Sequence, residues 1–420
     1  MKSASSTERI KPMDNQKQNF LSLLGKAVNE NQEFQLIPPV DWPEILRLAR
    51  AQNVHALIFD VASEILEFRK TQEYEACMRT AMAQTAGQIK RTEAFLELYR
   101  AFGAAGLHPI VMKGVVCRRM YGGYSDHRPS GDEDILIQKE EYEKVKRVLV
   151  SQGYLPERET VTSGQLEELQ EISFHHADSG LCIEVHTNPF GRENNLRRQM
   201  NDCFQSVFDH PIKLDVEGTI LWTMNHTDHF LFLILHVFRH MMASGFGIRQ
   251  VLDILMYDKA YGDEIDQDYI RKVLGQIGAE KFFGDLVYIG NRYLGFRLPE
   301  MGETSCPEEL LLDLLDNGIF GNETQAWRTS IHMTEAAVES SGTRSRLRLL
   351  GRTIFPGRAA MIGMHPELQE KPWLLPVRWV QRWGRFVRHN RENGGKLAKE
   401  SMEISRRRIE LLRKYGKGWK

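Results

Sequence analysis

The sequence predicts an α+β protein: a small mixed sheet near the middle of the chain, with helical regions on both sides. Three observations carry this reading. Residues 107–190 hold short apolar runs with the two-residue period of strands, whereas the stretches before and after repeat at helical spacing. Asp178-Ser179-Gly180 separates two strand-like runs, the mark of a hairpin. A length of 420 residues leaves room for two or three cores.

Taken in order, residues 1–17 are polar and are expected to be a disordered tail. Asp41-Trp42-Pro43-Glu44 starts a helix, since Asp41 can cap it and Pro43 suits a first turn. Ile45, Leu46, Leu48 and Ala49, then Val54, Leu57, Ile58 and Val61, are apolar at helical spacing. Two or three further helices fill the span to Phe102, the last ending at Gly103 or Gly106. The helical region is therefore set at 18–106.

Period changes at 107. Ile110-Val111-Met112 reads as a strand, Lys113-Gly114 as a turn, and the following residues to Tyr121 as helix. Asp132-Glu133-Asp134-Ile135-Leu136-Ile137 is a carboxylate-led strand, and Glu140–Gln152 a helix that ends at Gly153-Tyr154. Glu171–His176 and Leu181–His186 form the hairpin, and the sheet-bearing core is set at 107–215. From about Gly218 to Leu294 the spacing is helical again, giving a second helical region at 216–340. A basic helical segment occupies 341–420.

The composition, 42% hydrophobic and 26% charged, is that of an ordinary globular chain. The formal net charge is −1, but it is unevenly spread: residues 341–420 balance at +14 and residues 1–340 at −15. The five cysteines are odd in number, widely spaced and without a CxxC pair, which argues against a zinc ribbon or a disulfide framework. The first residues lack the apolar core of a signal peptide. The longest apolar stretch, Phe230–Leu235, is far too short to span a bilayer. A cytoplasmic protein without a membrane span is the expectation.

The chemistry concentrates between Lys113 and His186. Side chains alternate along a strand, so Asp132 and Asp134 project the same way. Two adjacent carboxylates repel unless a cation lies between them, and a hard ion such as Mg²⁺ suits one or two carboxylates plus substrate phosphates. A strand followed by a glycine turn and a helix can bring phosphate to the same cleft. In the second hairpin strand Ile183 and Val185 share the core face, leaving Glu184 and His186 on the other. A third carboxylate would then join the first two.

His236 and His240 lie one turn apart in the helix Thr227–Met242, with Asp253 on the next helix. Their spacing is that of zinc ligands. The run His236-Val237-Phe238-Arg239-His240 nevertheless lacks the glutamate of the metalloprotease motif, so packing or substrate orientation is the better reading. Near the C-terminus come Arg344, Arg346, Arg348, Arg352 and Arg358, then Trp373, Trp379, Trp383 and Phe386 interleaved with Arg378, Arg382, Arg385, Arg388 and Arg391. The opposed charge balances predict that this segment docks on the acidic part of the chain, covering its aromatic residues, and does not serve nucleic acid.

Together these residues resemble the uncharacterised nucleotidyltransferase family of the DNA polymerase β-like superfamily. The resemblance rests on Lys113-Gly114, Arg128, Asp132-x-Asp134 followed by Ile135-Leu136-Ile137, and Glu184-Val185-His186. His236, His240, Asp253 and the stretch Leu374–Arg382 match further downstream, so that it spans about Trp42 to Phe386. It implies a polymerase β-like nucleotidyltransferase core at 107–215. It also implies transfer of an NMP group from a nucleoside triphosphate to an acceptor hydroxyl or phosphate.

By this resemblance Asp132, Asp134 and Glu184 would be catalytic residues and ligands of Mg²⁺ (or Mn²⁺). Lys113, Gly114 and Arg128 would hold phosphate, and His186, His236, His240 and Asp253 would bind or orient substrate. One departure stands out. Active members of the superfamily usually carry Gly-Ser at the phosphate turn, where this chain has Lys113-Gly114-Val115, losing a hydroxyl and gaining an ammonium. The alternative is a catalytically silent regulator that keeps the fold and binds nucleotide or a protein partner.

Overall fold

The computed structural model describes residues 13–29, 32–158, 166, 171–192, 195–242, 245–300, 302–317, 355, 357–358, 361, 365–368, 371–392 and 396–415. The chain divides into two compact units, Met1–Phe238 with Gly247–Leu315, and Arg239–Phe246 with Asp316–Lys420.

The first unit begins with helices. In α1 (Asn15–Val28) the Asp14 side chain accepts the Lys17 N–H at 2.9 Å. Helix thus begins inside the stretch expected to be a disordered tail, because Asp14 caps it and Phe20, Leu21, Leu23 and Leu24 are buried. Residues 1–12 lie outside the described residues. At α2 (Trp42–Ala51) Asp41 caps the Glu44 N–H at 3.1 Å, with Pro43 in the first turn as expected. There follow α3 (His55–Ala62), α4 (Leu66–Arg69) and the long α5 (Tyr74–Ala104).

The sheet then starts with β1 (Ile110–Val111), α6 (Val115–Arg119), β2 (Asp132–Leu136) and α7 (Tyr142–Ser151). It continues with β3 (Tyr154–Pro156), β4 (Ile172–His176), β5 (Cys182–His186), α8 (Asn195–Asp202), β6 (Ile212–Val216) and β7 (Thr219–Thr223). Strand order is β3-β4-β5-β2-β1-β7-β6 among the described residues. β2 runs antiparallel to β1 and parallel to β5, while β1 runs parallel to β7, so the sheet is mixed, as expected. The β4–β5 hairpin forms as the Asp178-Ser179-Gly180 signal predicts.

The hairpin β6–β7 corrects the reading of residues from Gly218 onward as helical. Its turn is Glu217-Gly218, both at positive φ, +50° and +78°. Two such residues twist a two-residue turn to match the strands. Glutamate is unusual there, which hides the turn in the sequence. The expected boundary at 215/216 falls inside this hairpin, and β7 extends the sheet to Thr223.

One sheet face makes the core. Val111, Ile135, Phe174, Ile183, Val185 and Leu221 pack there with Phe95, Leu98 and Phe102 of α5 and Val145 and Leu149 of α7. Each such side chain contributes roughly 1.5–3 kcal/mol over leaving it in water. The opposite face carries Asp134, Glu184 and His186. After it come α9 (His226–Met242), α10 (Ile248–Tyr261), α11 (Gln267–Ile277), α12 (Glu280–Tyr293) and α13 (Pro307–Asn317).

In the second unit, α14 (Leu375–Glu392) and α15 (Lys396–Tyr415) are the long helices of the described residues. Buried Arg408 donates from Nη2 to Met241 O at 2.8 Å. Arg344, Arg346, Arg348 and Arg352, and the side chains of Arg385, Phe386 and Arg391, lie outside what is described. Trp373 and Trp383 are exposed, against the expectation that they are covered. All five cysteines are free, and no helix among the described residues is long and apolar enough to cross a membrane.

Candidate functional site

The site is built where β2 lies between β1 and β5. The parallel register pairs Asp134 with Glu184 and Leu136 with His186. Strand alternation turns Ile135 and Val185 into the core and leaves Asp134, Glu184 and His186 on the other side. One ligand atom from each of these three comes within 4.8 Å of the other two. His186 Nε2 lies 3.1 Å from Asp134 Oδ1 and 3.9 Å from Glu184 Oε2.

Lys113 enters from the end of β1, held in register by the Met112 N–H, which donates to Asp134 O at 2.9 Å. Its Nζ lies 3.0 Å from Asp134 Oδ2 and 3.5 Å from His236 Nε2. The cation beside Asp134 is thus the protein's own ammonium. Asp132 sits two residues before Asp134, paired in register with Cys182 and outside the 4.8 Å set. Its charge still acts on Lys113, as do those of Asp134 and Glu184.

These charges decide the protonation states. Burial works to raise the Asp134 carboxyl, but the Lys113 ammonium and the His186 hydrogen bond outweigh it and hold Asp134 well below the usual carboxylate range. Glu184 moves the other way: burial first, and the Asp134 charge second, push it up to about 9. Burial works to lower Lys113, yet the Asp134, Asp132 and Glu184 charges keep it above an ordinary lysine.

Beneath Lys113 the turn depends on Gly114 and Glu133. Gly114 has φ +61°, and a Cβ added there would stand 1.9 Å from Glu133 Oε2. Only glycine tolerates both demands. Glu133 is buried on the core side of β2, where its carboxylate accepts the Val115 N–H at 2.9 Å and pairs with Arg118 Nη2 at 2.8 Å. The anion at the start of this short helix is therefore Glu133. The sequence pattern alone does not single out Glu133 and Arg118. A charge at a position flanked by core-facing Ile135 was the signal that could have found them.

Arg128 and Asp253 meet each other. Arg128 donates from Nε to Asp253 Oδ1 at 2.9 Å and from Nη2 to Oδ2 at 2.5 Å, and Tyr121 donates its hydroxyl to Oδ1 at 3.0 Å. All three side chains are buried. Arg128 Nη1 is buried with no hydrogen-bond partner among the described residues. Arg249, which sequence reasoning missed, donates from Nη1 to Pro129 O and so braces the loop ahead of β2. His240 belongs to the second unit, where it accepts from Arg239 Nη2 at 3.1 Å.

Lys113, Asp134, Glu184, His186 and His236 therefore form one cluster of linked side chains, Lys113 touching Asp134 and His236, and His186 touching Asp134 and Glu184. Asp134, Glu184 and His186 each offer one ligand atom close enough to share a metal ion. The imidazole of His186 also holds Asp134 in place through their 3.1 Å contact.

In comparison with known proteins, the sequence-family model described as uncharacterised nucleotidyltransferase matches residues 38–295. No curated protein and no solved structure matches the chain.

Proposed function

The chain belongs to the uncharacterised nucleotidyltransferase family, and from that premise we propose that it moves an NMP group from a nucleoside triphosphate to an acceptor hydroxyl or phosphate. The observation that carries this reading is the pairing of Asp134 with Glu184 across parallel strands, beside Lys113. A polymerase β-like core fits that arrangement. Asp134 and Glu184 would hold Mg²⁺ or Mn²⁺, with Asp132 as a further ligand.

A bound divalent ion supplies charge neutralisation at the α-phosphoryl group and at the leaving pyrophosphate. The remaining work falls to the chain. Lys113 exchanges Asp134 for a phosphate oxygen when the triphosphate enters, a move its flexible stem permits. Its ammonium stays charged throughout, because the carboxylates raise its affinity for the proton. Where Glu184 does not ligate the ion, it would instead be the base that accepts the proton of the attacking acceptor group. His186 keeps Asp134 oriented, and His236 lies beside Lys113 where it can steer the ammonium.

A second reading, a catalytically silent regulator, is favoured by one observation. Donors that would cradle a triphosphate are engaged by the protein's own carboxylates, Lys113 by Asp134 and the Val115 N–H by Glu133. Incubation of the purified protein with α-labelled triphosphates, Mg²⁺ or Mn²⁺ and a cell extract separates the two. Label transferred to an acceptor supports the enzyme. Mg²⁺-dependent nucleotide binding with no transfer across acceptor classes supports the regulator.

A further inference from the structure

The second unit exposes apolar side chains that an ordinary surface would cover. Among the described residues, Phe355, Trp373, Val377, Val380 and Trp383 are 47%, 71%, 48%, 72% and 44% exposed. They account for five of the twelve exposed large apolar side chains, and for both exposed tryptophans. Val377, Val380 and Trp383 follow one another at helical spacing along α14, so they form a ridge. Phe355 packs against Trp383 and Trp379, with ring centroids 5.3 and 5.0 Å apart, which stiffens one end of that ridge.

The surroundings are cationic. Residues 371–415 contain thirteen Lys and Arg against four Glu and no Asp. Arg388 on α14 and Arg406, Arg407, Arg413 and Lys414 on α15 are exposed, Arg406 and Arg407 pairing with Glu410 and Glu403 of their own helix. An exposed apolar ridge with tryptophan, on an amphipathic helix in a strongly basic segment, fits the boundary between lipid headgroups and acyl chains.

We propose that α14 and the turn before it dock on an anionic phospholipid surface, with Trp373, Val377, Val380 and Trp383 entering the headgroup boundary and the basic residues meeting lipid phosphates. Charge selects this occupant over the others. A second copy of the same face would bring two strongly positive surfaces together. A nucleic acid would match the charge but leave the aliphatic Val377 and Val380 without a partner, since nucleic-acid sites stack aromatic rings on bases. The surface binds without crossing the bilayer, in line with the absence of a spanning helix among the described residues. This inference is independent of the proposed reaction.

The test is flotation of the full-length protein with vesicles of phosphatidylglycerol and phosphatidylcholine, against vesicles of phosphatidylcholine alone. Association with the anionic vesicles, weakened by salt and lost on neutral ones, is expected. W373S/V380S/W383S should lower the partition coefficient roughly tenfold, and R388E/R413E should do so by a similar factor. All five positions are exposed, so the fold is kept, and circular dichroism checks this. No flotation with anionic vesicles overturns the proposal, as does flotation of both variants at the wild-type level. Concentration-dependent dimerisation abolished by the triple variant, or salt-sensitive RNA binding in place of flotation, also overturns it.

Discussion

Lys113 Nζ lies 3.0 Å from Asp134 Oδ2, inside the group of carboxylates formed by Asp132, Asp134 and Glu184. The residue expected to hold phosphate and the residue expected to hold metal are thus each other's partner. A divalent ion bound at Asp134 would compete with this ammonium, whereas a bound triphosphate would draw the ammonium away. Metal and nucleotide should therefore bind cooperatively.

Lys113→Met removes the competing charge. Mn²⁺ alone should then bind roughly tenfold more tightly, since a unit charge a few ångströms away at a partly buried site is worth more than that factor. Triphosphate should bind more weakly to the same variant. Calorimetric titration of each ligand, alone and with the other present, measures both effects. Unchanged Mn²⁺ affinity would mean that the ion does not use Asp134.

Arg128 and Asp253 form a buried bidentate pair. Removing one partner strands a charge in a low-dielectric site, so Arg128→Met should cost about 3–5 kcal/mol in urea unfolding. Arg128→Met with Asp253→Leu should cost less than the single substitution, because no charge is left unpaired. A single-variant loss below about 1 kcal/mol would place Arg128 at the substrate and not in the frame.

Gly114→Ala meets two obstacles, the positive φ and Glu133 Oε2 at 1.9 Å from the new Cβ. Strain of this kind costs about 1–3 kcal/mol, more where the neighbour cannot move. Glu133 is pinned by Val115 N and Arg118, so it cannot yield without losing both. A fall in melting temperature of several degrees, read by calorimetry, is expected.

His229 is buried, with its Nδ1 3.0 Å from Thr223 Oγ1, and burial lowers its pKa from the ordinary 6.5 to about 3. Between those values the unfolded chain binds a proton that the folded chain does not. Stability from this group is fully present above pH 6.5 and is lost as pH falls toward 3, by about 1.4 kcal/mol for each pH unit. His229→Gln should flatten the pH dependence of unfolding in that window.

Local pattern made much of the site legible. Alternation placed Asp132 and Asp134 on one face of β2, put Ile183 and Val185 in the core, and left Glu184 and His186 facing outward from it. Neighbouring residues alone determine such relationships. What sequence did not disclose are partnerships across distance: Arg128 with Asp253, 125 residues apart, and Lys113 with Asp134. No period records them. Two local features were also missed. Glu217-Gly218 closes a hairpin with a residue that seldom takes positive φ, and Glu133 satisfies its charge inside the core, where polarity suggested solvent.

Asp134→Asn tests the role of the paired carboxylates most directly, since an amide keeps the shape of the side chain and removes the charge that would hold the ion. The measurement is transfer of α-labelled nucleotide to acceptor by wild type and variant at equal concentration, with melting temperature recorded for both. Transfer by the wild type and its loss, by about a hundredfold or more, in a folded variant is the expected result. Transfer at the wild-type rate by folded Asp134→Asn would contradict it and place the chemistry elsewhere in the chain.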